Sequence, residues 1–121
     1  MRGNIPLVSD NGKNDGAKRV FLLAARQREL EALLHDAGFE VDARRQPLDD
    51  SPPPADVAIV FRGRLLGRNQ ATLIHRHGIP VIEVLTSEPT TPSTRGWLRL
   101  SNRVPKSDIV QIVRSVADGA E

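Results

Sequence analysis

Two short runs with no polar interruption inside them, Arg19–Ala25 (RVFLLAA) and Asp56–Phe61 (DVAIVF), restrict the folds open to this chain more than any other feature. A strand with one face in water alternates apolar and polar residues. A run that stays apolar has to be covered on both faces, and the architecture that does this is a parallel sheet held between layers of helix.

The intervening residues supply those layers. Leu30, Leu33, Leu34 and Ala37 fall at i, i+3, i+4 and i+7, one apolar stripe on a helix that Gly38 can close in a left-handed conformation. Phe39, Val41 and Ala43 then alternate with Glu40, Asp42 and Arg44, the pattern of an edge strand. After the second apolar run, Arg62-Gly63-Arg64 leads into a helix expected over roughly 65–77, closed by Gly78, and Ile79–Leu85 (IPVIEVL) reads as the next strand. Trp97–Ser101 is the last strand. Ser107 is expected to cap a final helix whose Ile109, Val110, Ile112, Val113 and Val116 face inward.

Two segments break the alternation. Gln46–Ala55 (QPLDDSPPPA) carries three consecutive prolines, which exclude a helix of useful length, and Thr86–Gly96 (TSEPTTPSTRG) is again rich in Pro, Ser and Thr. The expectation is a three-layer, flavodoxin-like α/β domain with a five-stranded parallel sheet of order 2-1-3-4-5 and right-handed crossovers. The second and fourth crossover helices are expected to be shortened to Pro-rich loops. Losing both from one face would bare apolar sheet, so a homodimer or other protein partner is expected to cover it, the alternative being that the loops fold back over the sheet themselves.

The chain has 121 residues and a mass of 13.3 kDa, enough for one core. Residues 1–18 (MRGNIPLVSDNGKNDGAK) have no apolar period and read as a flexible arm; residues 19–118 form the domain and 119–121 a tail. The absence of a long apolar run argues against a membrane span or a secretory signal, and the absence of cysteine excludes disulfides and thiolate chemistry. A cytoplasmic location is expected. The formal charge of +2 and three Phe with one Trp give little basis for binding nucleic acid.

On these residues the chain resembles the receiver domains of the response-regulator family, over roughly 19–117. Arg19–Ala25 is similar to the opening strand, in which two acids follow a run of aliphatics, and Asp56–Phe61 to the strand that ends in the phospho-acceptor Asp. By this resemblance Ala24 and Ala25 stand at the metal-binding acidic positions, Phe61 at the acceptor, Thr86 near the family's Thr or Ser, and Asn102 in place of its Lys. Phosphoryl transfer needs a carboxylate nucleophile and a magnesium ion held by acids, so the resemblance implies a pseudo-receiver: a non-catalytic signalling module that acts by protein contact, without a cofactor. The segment ADVAIVFRG, with the helix and GIPVIEVLTS after it, is also similar to nucleoside 2-deoxyribosyltransferase-like proteins and more remotely to TIR domains. The helix expected after Phe61 lacks the acid that such catalysis requires.

Ligands of open α/β sheets bind at the carboxyl ends of the strands, where this chain places Arg26, Arg28, Arg62, Arg64, Arg68, Thr86, Ser87 and Arg103. That rim either recognises an anionic small molecule or an acidic partner patch, or its arginines are ordinary solubilising residues. Trp97, with Arg99 near it, is either core or an interface anchor. Glu83, inside a strand, reads as structural or partner-facing. His75 and His77 lie two apart, about 200° around a helix, which does not suit joint ligation, and no metal site is expected.

Overall fold

The computed structural model describes residues 18–25, 27–48, 51–62, 68–86, 89, 93 and 96–118, with the backbone alone at 68 and 69. The elements are β1 (Arg19–Leu23), α1 (Arg28–Asp36), β2 (Glu40–Arg44), β3 (Val57–Phe61), α2 (Arg68–Arg76), β4 (Val81–Leu85), β5 (Trp97–Ser101) and α3 (Lys106–Ala117). All strand pairs are parallel and the sheet order is β2-β1-β3-β4-β5, the flavodoxin-like arrangement expected from the sequence. The alternating strand lies at one edge, and the two apolar runs are neighbours in the middle.

Burial on both faces follows from the residue pattern. Val20, Leu22, Val57, Ile59, Ile82 and Val84 pack against Leu30 and Leu34 of α1 and Ile109, Val113 and Val116 of α3. Phe21, Leu23, Ala58, Val60 and Val81 point the other way, onto Ala71 and Ile74 of α2. Truncating Leu30 or Leu34, both fully buried, to Ala would cost about 2–5 kcal/mol. α1 ends as its sequence requires. Phe39 N–H donates to the Leu34 carbonyl and Gly38 N–H to that of His35, both at 3.0 Å, and this double closure needs the left-handed backbone that Gly38 adopts at φ 96°.

The second face carries α2 as its one helix among the described residues. Its sheet residues are nevertheless covered, with Phe21, Leu23, Ala58 and Val60 all at 0% exposure. Part of that cover comes from the Pro-rich segment, which is not helical among its described residues: Leu48 and Ala55 pack against the cluster, and Leu48 N–H donates to Gln70 Oε1 at 2.7 Å. The first Pro-rich segment therefore folds back onto this part of the sheet. Most of Thr86–Gly96, all of the arm before Lys18 and the tail after Asp118 lie outside the described residues.

The last helix begins differently from expectation. Pro105, with φ −58° and ψ 146°, occupies the capping position, and no side chain caps this terminus. Its carbonyl accepts from Asp108 N–H at 3.0 Å and Ile109 N–H at 3.1 Å, so the helix starts before Ser107, which lies exposed in the first turn. Proline suits the entrance to a helix because an N–H there would have no helical acceptor.

Candidate functional site

Because all five strands run the same way, their carboxyl ends share one edge of the domain, and that edge gathers the residues singled out in the sequence. Ala24 follows β1, buried, with its N–H donating to the Arg44 carbonyl at 3.0 Å, and Ala25 is exposed beside it. Phe61 ends β3 and packs its partly buried ring onto the α1/α3 side of the core. Thr86 is exposed after β4. Asn102 and Arg103 are exposed after β5, held by Asn102 N–H to the Leu85 carbonyl at 2.8 Å and Arg103 N–H to Ser101 Oγ at 3.1 Å. Arg26, Arg64 and Ser87 lie outside the described residues, and of Arg68 only the backbone, at the start of α2, is described. At the ends of β1 and β3 stand two methyl groups and a phenyl ring, which offer no oxygen to a cation and no nucleophile to a phosphoryl group.

Arg62 does not point outward from this rim. Coming after Phe61, it falls on the α2 side of the sheet, where Nη1 donates to Glu83 Oε2 at 2.9 Å. Glu83 is 2% exposed, in the middle of β4, directly across from Arg99 on β5. Its Oε1 accepts from Trp97 Nε1 at 2.9 Å and lies 3.6 Å from Arg99 Nε. The Arg99 guanidinium in turn sits 4.6 Å from the centre of the Trp97 ring, and His75 of α2 packs against that ring at 5.2 Å. A lone buried carboxylate would be costly. Here two guanidiniums and an indole N–H surround it.

This cluster is what sequence reasoning missed. Trp97 and Arg99 are half-buried members of a network centred on Glu83, and Arg62 is its second cation. A faint signal was present: a carboxylate inside an apolar strand needs partners, and Arg62 and Arg99 each sit on a neighbouring strand or at its end. His77 belongs elsewhere, with Nδ1 2.9 Å from the Leu73 carbonyl. Among the described residues no group of three or more His, Cys, Asp or Glu side chains could hold a metal ion.

A cleft of ≈ 210 Å³ opens on the other side of β1, between the ends of β1 and β2 and the start of α1. Leu22, Ala24, Ala25 and Ala43 line it together with Gln27, Arg28, Glu31, Arg44 and Arg45. Arg44 is held in place, its Nε 3.3 Å from Asp42 Oδ1 and its guanidinium 5.8 Å from the centre of the Phe21 ring.

No protein-family model matches the chain, and no curated protein matches its sequence. Among solved structures the fold is similar to a response regulator receiver protein from Sinorhizobium medicae WSM419, with a TM-score of 0.66 and 16% sequence identity over 88% of this chain and 98% of that one. At such identity the likeness carries the fold. No described helix is long and apolar enough to cross a membrane.

Proposed function

We propose that this chain is a cytoplasmic signalling or regulatory module of receiver-like fold that works by binding a protein partner and performs no phosphoryl transfer. The observation that carries the reading is the identity of the residues at the carboxyl ends of the two central strands, Ala24, Ala25 and Phe61, which by the resemblance to receivers take the positions where that chemistry needs acids. The structural likeness to a receiver protein supports the signalling part. A receiver-like scaffold without its acids retains the surface by which such a domain meets other proteins, and here that surface includes the exposed Thr86, Asn102 and Arg103.

The test is incubation with acetyl phosphate and magnesium followed by intact-mass measurement. The mass should stay that of the unmodified chain. A gain of one phosphoryl group that hydroxylamine removes would overturn the proposal.

A further inference from the structure

The cleft between β1 and β2 is not used by the function proposed above, and its chemistry is uneven. Two arginines, Arg28 and Arg45, line it against one carboxylate, Glu31, while the guanidinium of a third lining residue, Arg44, lies over the Phe21 ring on the opposite, α2 side of the sheet. Arg44 is paired with Asp42. Arg28 and Arg45 are exposed and make no ion pair with another described residue. The apolar wall includes the buried Leu22 and Ala24, so a charge in the cleft is partly shielded from water and Coulomb attraction is stronger there than on an open surface. The methyl groups of Ala24 and Ala25 leave room next to the chain and carry no negative charge to repel an anion. Gln27, at the start of α1, makes no side-chain cap, so the adjoining backbone N–H groups add donors on the same side.

We propose that this cleft binds a small-molecule phosphate monoester, with Arg28 and Arg45 gripping the phosphate and the apolar wall receiving the organic part. Arginine suits the task because its planar fork matches phosphate oxygens with two parallel hydrogen bonds. Glu31 opposes a second anion and so limits the site to one phosphate group.

The probes are inorganic phosphate and ribose 5-phosphate, titrated into the full chain at constant ionic strength while amide resonances are followed by NMR. Saturable shifts are expected at Ala25, Gln27, Arg28 and Ala43–Arg45, with dissociation constants in the millimolar range for phosphate and about tenfold tighter for the sugar phosphate. Arg28→Ala and Arg45→Ala should each weaken binding about tenfold, the loss expected for one charge-assisted hydrogen bond, with the remaining spectrum unchanged because both side chains are exposed. Arg45→Lys should fall in between. Shifts that never saturate, that match those produced by chloride, or that persist in an Arg28→Ala/Arg45→Ala double variant would overturn the assignment. None of these outcomes involves a protein partner or acetyl phosphate, so failure here leaves the proposed function intact.

Discussion

The indole N–H of Trp97 donates to Glu83 Oε1 at 2.9 Å, joining the first residue of β5 to the middle of β4. The carboxylate is buried and the indole half-buried, so the bond forms largely out of water, where leaving either group without its partner is expensive.

Removing the carboxylate should therefore unmask two cations and a donor together. Glu83→Ala is expected to lose about 2–3 kcal/mol in urea unfolding, below the usual range for breaking a buried pair because Arg62, at 34% side-chain exposure, can turn into water. Trp97→Phe should lose about 1 kcal/mol, and a double-mutant cycle between these positions should show coupling of about 1 kcal/mol or more. Additive losses would mean that the two side chains do not interact.

Two glycines with left-handed backbones should respond differently to a methyl group. A Cβ at Gly38 (φ +96°) meets nothing within 4 Å, so Gly38→Ala should cost about 1 kcal/mol from backbone strain alone. A Cβ at Gly96 (φ +81°) would touch His75 Nε2 at 3.4 Å, so Gly96→Ala should cost a similar amount while adding a methyl group against the ring that packs on Trp97. Emission from Trp97, the one tryptophan, should shift in Gly96→Ala and stay unchanged in Gly38→Ala.

At the outer edge of β5, the Ser93 hydroxyl accepts from Arg99 N–H at 2.8 Å and lies 3.4 Å from the Arg99 carbonyl. One side chain thus occupies backbone groups that an edge strand leaves open to pairing with another chain. Ser93→Ala should speed hydrogen exchange at the Arg99 amide about fivefold, equivalent to about 1 kcal/mol of local protection. An unchanged rate would assign that protection to something other than the hydroxyl.

With Phe21, Leu23, Ala58 and Val60 covered inside one chain, light scattering at micromolar concentration should return the mass of a single chain, 13.3 kDa. A dimer mass would show that a surface other than these four residues drives association.

The fold was legible because its signals are local. The unbroken runs at Val20–Leu23 and Val57–Val60 announce strands covered on both faces, and the Leu30/Leu34 stripe with Gly38 after it fixes a helix and its end. Pro52–Pro54 excluded a helix, yet the return of Leu48 and Ala55 onto the sheet depends on where α2 lies, which no local pattern states. The Glu83 cluster was illegible for a similar reason. Its hydrogen-bond partners are 21 and 14 residues away in sequence and meet it only once β3, β4 and β5 are side by side. The start of α3 turned on competition between two neighbouring signals, in which the extended Pro105 admitted the helix before Ser107 could cap it.

The buried Glu83 also bears on how β4 finds its place as the chain folds. An all-aliphatic strand could slide along its neighbours by two residues and stay equally apolar on each face. With a carboxylate at its centre, only one alignment meets Arg62, Trp97 and Arg99 together, and every slipped pairing strands a charge in oil. Glu83→Leu would remove that discrimination: the strand would be as greasy as its neighbours, and doubled amide peaks along β4 and β5 would reveal the alternatives that the acid now forbids.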